Sequence, residues 1–257
     1  FLIDDRDRAV TALDNGVVGR GMPWIGMQYR WPWVAAAGWG TQTMEPIAQI
    51  TVRPDETAIG EIPNEDSQSV VFEDSSLFDV NKFSGFDRFA GGTRIDLGFR
   101  YTVQTFGGGF VSALVGQSFQ LAGRNSYAVP DIMNSSFDSG LQTAESDYVA
   151  GLYLANGGGL QLSAQGRFDE DTLDVKRAQV QTSGRSGPVS AQVLYTYLRQ
   201  QPDLGVTRDR QELQAAASLR VLPSLRVFGQ VRYDVEDNEV IRDGIGIGWD
   251  DDSFSWS

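Results

Sequence analysis

The sequence predicts an all-β fold: an antiparallel transmembrane β-barrel segment, about eleven long strands of a larger barrel, not closed within the chain. Three observations carry the all-β, bilayer-crossing part of that prediction. Apolar and polar side chains alternate with a period of two through most of the 257 residues, which puts them on opposite faces of strands. The alternating stretches run to roughly 10–13 residues, against about 5–6 for a globular strand and 9–11 for a tilted strand crossing a bilayer. The connections alternate too, short turn and then longer loop, which sorts them onto two sides of one sheet as in outer-membrane barrels.

The first strands are expected over 24–35 and 43–53. In 93–104, "RIDLGFRYTV" sets Ile95, Leu97, Phe99, Tyr101 and Val103 against Arg94, Asp96, Gly98, Arg100 and Thr102. Strands over 109–121 and 144–155 follow. Over 158–169 the apolar set is Leu160, Leu162, Ala164 and Phe168, against Gln161, Ser163, Gln165 and Arg167. The stretch 173–183 reads as a strand whose alternation does not separate its faces. Over 187–199, Val189, Ala191, Val193, Tyr195 and Tyr197 alternate, with Leu194 and Leu198 intruding on the polar side. The strands 209–221, 225–235 and 239–250 carry Leu213, Leu219, Val227, Val231, Ile245 and Ile247 on the apolar side, and 253–257 reads as the start of one more. The polar set Arg94, Arg100, Gln165, Arg167, Gln214, Arg220, Arg226, Gln230, Arg232 and Arg242 is expected to share one concave, lumen-facing side. A slip of one residue would exchange the faces, so the assignment is sharp.

Short turns are expected at "FGG", "NGG", "GRSG", "LPS" and "DDD". The long connections are 54–92, 122–143, "DEDT", "QPDLGVTRD" and "EDN". Trp31, Trp33, Tyr101, Tyr148, Phe168, Tyr233 and Trp249 are candidates for the aromatic girdles of a membrane interface.

Composition removes whole classes of function. Acids outnumber bases by 34 to 21, for a formal charge of −13, so no nucleic-acid partner is expected, because phosphate binding needs clustered cations. With no cysteine and no histidine, disulfides, thiolate metal sites, imidazole acid–base work and histidine triads are excluded. No run approaches the roughly 20 apolar residues of a membrane helix. The chain opens on Phe1 without a signal peptide, which reads as a fragment.

The motifs have ordinary readings. The triple glycines at 107–109 and 157–159 read as hairpin turns, since no Lys-Ser/Thr and no helix follows. The acid clusters at 168–172 and 249–253 lack EF-hand spacing and read as solvated turns. Asn134-Ser135-Ser136 matches a glycosylation sequon. Lys82 and Lys176 are the two lysines, and they complete no catalytic constellation. No catalytic, cofactor or metal site is expected.

Loop 54–92 is the exception. It is too long for a hairpin, and ordered loops of this length tend to be functional. It carries Leu77, Phe78, Val80, Phe83, Phe86 and Phe89 among its acids. Such a patch is expected to pack rather than stand in water.

The order "GTQTMEP" (40–46), "IPNEDSQ" (62–68) and "LFDVNKFSGFDRFAGGTR" (77–94), followed by a strand, closely resembles the C-terminal barrel region of the LPS-assembly LptD family, also called organic solvent tolerance proteins. The resemblance covers essentially the whole chain. It implies residues 1–257 as the C-terminal part of a barrel of about 26 strands in the Gram-negative outer membrane, with an N-terminal jelly roll, the first strands and the final strands lying outside. It implies lipopolysaccharide as cargo, an LptE-like lipoprotein plug, a periplasmic bridge protein docking on the N-terminal domain, and a gate between first and last strands. Loop 54–92 would fold over or into the extracellular mouth, with Phe83 and Phe86 packed and Asp66, Asp87 and Arg88 anchoring it by charge-assisted bonds. Where the family often carries cysteine near the last turn, "WDDDSFSWS" offers Ser253 and Ser255, which puts a disulfide to the N-terminal domain in doubt. The alternative reading is a diffusion porin narrowed by an inward-folded loop 54–92.

Overall fold

Period-two alternation becomes strand almost wherever it occurs. In this computed structural model, residues 19–59, 62–67, 69–129, 137–202, 206–250 and 255–256 are described, and the sequon and most of 249–253 lie outside them. Thirteen strands form one antiparallel sheet: β1 (Ile25–Arg30), β2 (Trp33–Ala37), β3 (Gly40–Val52), β4 (Thr93–Thr105), β5 (Phe110–Ala122), β6 (Tyr148–Ala155), β7 (Leu160–Phe168), β8 (Val175–Ser186), β9 (Val189–Leu198), β10 (Arg210–Arg220), β11 (Leu225–Asp234), β12 (Glu239–Asp250) and β13 (Ser255–Trp256). Each of β3 to β13 pairs with its neighbour in sequence, and β1 and β2 both pair with β3. The sheet therefore ends at β1/β2 and at β13 and does not close. It is part of a β-barrel.

The expected strand 24–35 is two strands in one register. Ile25–Arg30 lies opposite Ile47–Val52, and Trp33–Ala37 opposite Gly40–Met44 without a shift between them. Two prolines make the break. Trp31 donates its N–H to the Pro46 carbonyl at 3.2 Å, but Pro46 has no N–H to return, and Pro32 has none either. Strand β6 begins at Tyr148 rather than at 144 for a different reason. Ser118 N–H donates to the Ser146 hydroxyl at 2.9 Å, and the Gln117 amide donates to the Ser146 carbonyl at 2.7 Å. These side-chain bonds take over groups a regular ladder would use. Strand β8 runs to Ser186, three residues beyond its expected end.

Short turns at 106–109, 156–159, 187–188 and 221–224 lie along one edge, and connections 53–92, 123–147, 169–174, 199–209 and 235–238 lie along the other. The triple glycines are turns. Gly108 and Gly157 adopt positive φ, and the two turns nest so closely that a Cβ on Gly157 would sit 2.8 Å from the Gly107 carbonyl oxygen.

Register carries both faces across the sheet. Tyr101, Ala113, Leu152, Ala164, Val180, Tyr195, Leu213 and Tyr233 face one another in successive pairs. On the opposite face Gln181, Leu194, Gln214, Arg232 and Arg242 do the same. Asp243 departs from the pattern, standing on the apolar face opposite Val231. Tyr148, Phe168, Tyr233 and Trp249 lie at strand ends, whereas Trp31 lies in the break between β1 and β2, Trp33 opens β2 and Tyr101 lies within β4. Trp31 packs edge-on against Tyr29 (6.0 Å between centroids) and beside Trp33 (6.3 Å).

The faces make a testable contrast. Val180→Arg should cost about 2–4 kcal/mol near mid-depth of a bilayer, and Gln181→Arg should be tolerated. Equilibrium folding of the two variants into lipid vesicles checks it, and equal costs would count against a lipid-facing apolar side.

Candidate functional site beneath the long loop

Loop 54–92 folds back onto the polar face of β3 to β7. Its apolar side chains build a buried core: Phe72, Leu77, Phe83 and Ala90 pack with Tyr127, Leu141 and Val149, and Phe83 stacks on Tyr127 at 4.6 Å. Leu77 is fully buried in a notch opened by two glycines of adjacent strands. A Cβ on Gly116 would stand 2.3 Å from Leu77 Cδ2, and one on Gly98 2.8 Å from the Phe78 ring. Phe78 and Phe89 are half-buried, and Phe89 lies under the Arg20 and Arg53 guanidiniums. Phe86 corrects the expectation: it is 77 % exposed. Its backbone is held on both sides, by Asp66 through its N–H and by Arg20 through its carbonyl, which turns the ring outward.

Asp66 and Asp87 clasp two limbs of the loop. The Asp66 carboxylate accepts the N–H groups of Phe86 (2.8 Å) and Asp87 (2.9 Å), and the Asp87 carboxylate accepts those of Glu65 (2.7 Å) and Asp66 (3.1 Å). The Phe86 N–H, then the Asp87 N–H, hold the Asp66 carboxyl below its usual range. Gly85 leaves room for the clasp, since a Cβ there would meet the Asp66 carboxylate at 2.3 Å. Arg88 is buried and donates to the Ile62 and Asp87 carbonyls at 3.0 and 2.9 Å.

Charges on the strands fasten the loop to the wall. Lys82 Nζ meets Asp96 Oδ1 at 3.2 Å, with both side chains 2 % exposed. Asp96 also accepts from the Ser118 hydroxyl and, at 3.5 Å, from the Gln49 amide. Burial pulls the Lys82 ammonium below its usual value, and Asp96 pulls it back. Further along, Asp74 accepts from Tyr153 and Gln165, each at 2.9 Å. Gly151 lies directly beneath, where a Cβ would be 2.0 Å from the Asp74 carboxylate. Serine, lysine and carboxylate meet here, but Ser118 is 0 % exposed, so no substrate reaches its hydroxyl. The arrangement ties the loop to the strands beneath it.

A second ionic cluster joins the other long connections. Lys176 Nζ stands 3.3 Å from Asp147, 3.0 Å from Asp169 and 3.9 Å from Glu170. Arg167 reaches Asp147 at 3.3 Å and Asp138 at 3.4 Å. The three carboxylates around Lys176 lie within 4.8 Å of one another, and the ammonium among them is their counter-charge. Burial, then the Glu170 carboxyl, push Asp147 up to about 7 against the pull of Arg167 and Lys176.

The remaining arginines of the polar set are spread out. Arg94 is buried and bonds Ser118, Gln120 and Asn125. Arg100 lies 3.9 Å from Glu45, and Arg232 pairs with Glu212. Arg220 and Arg226 face each other near a short turn, Arg226 over the Phe228 ring at 5.7 Å. The structure therefore gathers Asp66, Asp87, Arg88, Phe83 and Arg94 around the loop and leaves Arg100, Arg220, Arg226 and Arg232 apart from it. The sequence did not mark Arg20, Arg53, Asp74, Lys82, Asp96 and Tyr127. The one available signal was Lys82 itself, one of two lysines, within an apolar stretch.

A sequence model of the LptD family, LPS transport system D, matches residues 5–206. The chain belongs to the LptD family. Both loop ion clusters and strands β1 to β9 fall inside the match, and β10 to β13 extend the same sheet beyond it. Among curated proteins none matches the chain. LptD-family membership makes lipopolysaccharide transport its role, with lipopolysaccharide as substrate and Lpt-pathway proteins as partners. It places the sheet in an outer-membrane β-barrel.

Two outcomes test these LptD ion clusters, one for each. Lys82→Met leaves Asp96 buried without a counter-charge and should cost about 3–5 kcal/mol, read as a lowered melting temperature. Asp147 works in the opposite direction. Its folded pKa lies above the unfolded value of about 3.9, so its contribution is complete below about pH 4 and is lost as pH rises toward 7. Asp147→Asn should therefore gain melting temperature relative to the parent between about pH 5 and about pH 8. A constant difference across that window would contradict the assignment.

Proposed function

We propose that residues 1–257 are the C-terminal region of the barrel in the translocon that assembles lipopolysaccharide in the outer leaflet, and that loop 54–92 is its lid. The observation that carries this reading is the loop's own core and ion pairs on the polar face of β3 to β7. A loop buried this thoroughly closes part of a wide lumen. The polar face of β8 to β12, lined by Gln181, Gln192, Gln214, Gln230, Arg232 and Arg242, borders open space, which suits a sugar-rich cargo or an LptE-like lipoprotein plug. The periplasmic bridge protein would dock on an N-terminal domain. Arg94 and Arg167 serve as inward anchors of the loops, and Arg100, Arg220, Arg226 and Arg232 as wall of the passage. The protein supplies path and seal, not catalysis.

Deleting residues 64–90 from the full-length protein should admit large antibiotics through the outer membrane, read as a lowered inhibitory concentration. If antibiotic permeability and lipopolysaccharide export both stay at parental levels, the lid reading is wrong. Sugar-permeable single channels from the intact protein would instead favour a diffusion porin.

A further inference from the structure

The cations under the loop fall into two kinds. Arg20 pairs with Glu56 at 3.1 Å and Lys82 with Asp96 at 3.2 Å. Arg53 and Arg94 have no ion-pair partner among the described residues, and both are more than nine-tenths buried. Arg53 Nε and Nη1 find no acceptor, nor does Arg94 Nε or the Thr51 hydroxyl. These atoms belong to one patch. Thr51 and Arg94 face each other across β3 and β4. Arg53 follows two residues after Thr51 on the same face, its N–H bonded to the Gly92 carbonyl at 2.9 Å. Phe89 lies 5.6 Å from the Arg53 guanidinium and Tyr127 5.1 Å from that of Arg94. The patch thus has an aromatic ring beside each of two guanidiniums, and four hydrogen-bonding atoms without a partner on one face of adjoining strands.

Native structures rarely bury such donors unmatched, and an uncompensated buried charge is costlier still. Water can accept the bonds but leaves Arg53 without a counter-charge, and Arg94 with only the pull of Asp96, which Lys82 already pairs. A carboxylate brings one charge on two oxygens in one plane. A tetrahedral oxyanion offers up to two charges and oxygens in several directions, which matches donors arriving from two strands, and guanidinium is the side chain best suited to it. We propose that Arg53, Arg94 and the Thr51 hydroxyl form a binding site for a phosphate-class oxyanion at the root of loop 54–92. The anion joins the end of β3 to the start of β4, the two points from which the loop leaves and returns.

This inference is independent of the export reading, because binding is measured without transport. The full-length protein with its lipoprotein partner, in detergent, is titrated calorimetrically with inorganic phosphate against chloride at matched ionic strength. Saturable binding is expected, weakened at least about tenfold by Arg53→Gln, less by Arg53→Lys, and a few-fold by Thr51→Val. Melting temperatures without phosphate separate lost binding from lost folding, and Thr51→Val, which keeps both charges, serves if Arg53→Gln does not fold. A phosphorylated glucosamine disaccharide that competes with phosphate, where its dephosphorylated form does not, would place the anion on a lipid headgroup. Phosphate binding without such competition would make the occupant a free anion. No saturable binding of phosphate by the parent protein, or unchanged affinity in Arg53→Gln and Thr51→Val, would overturn the site.

Discussion

A sheet with one apolar face and one polar face is stable only if each face meets the surroundings it was built for. Everything else in this protein follows from that constraint. The apolar side, which runs from β1 to β12, is left uncovered by the described residues, which include no second sheet and no long helix. The polar side is wider than the strands can fill with their own side chains. The loop between β3 and β4 supplies the missing interior on one half. It brings a small apolar core with it, satisfies the strand-borne charge of Asp96 through Lys82, and accepts from the neutral Tyr153 and Gln165 through Asp74.

The division between legible and hidden features follows sequence distance. Strand faces could be read directly because alternation is a property of neighbours: Leu213, Leu219, Val227 and Ile247 announce their side without reference to anything remote. The broken first strand was less visible, since Pro32 and Pro46 act jointly across a pairing that only the fold reveals. The loop's fastening was hidden altogether. Gln165 and Asp74 are 91 residues apart in sequence, and nothing local marks Asp74 as different from its acidic neighbours. Phe86 was misread for a related reason. Hydrophobicity predicted burial, but the hydrogen bonds at its own N–H and carbonyl fix the backbone so that the ring points away.

The same comparison separates two uses of charge. Rim charges such as Arg208 and Asp237 are exposed pairs, which contribute little. Those under the loops are desolvated, and their value lies in geometry: each accepts or donates along a direction set by a strand. Few lysines and many arginines suit this use, because a planar guanidinium holds several acceptors in fixed directions. Arg94, with three side-chain acceptors from β5 and the connection that follows it, is the clearest case.

The notch that receives Leu77 limits how such a lid can be inherited. Its floor is two glycines on separate strands, Gly98 and Gly116, and a single methyl group on either would evict the leucine or the phenylalanine beside it. The loop is therefore not a portable insertion. Transplanted to another barrel it would find no socket, and its apolar core would lose its footing. Lid and wall can drift only as a matched set, so lineages that lengthen or recut this loop must alter the strands beneath it as well.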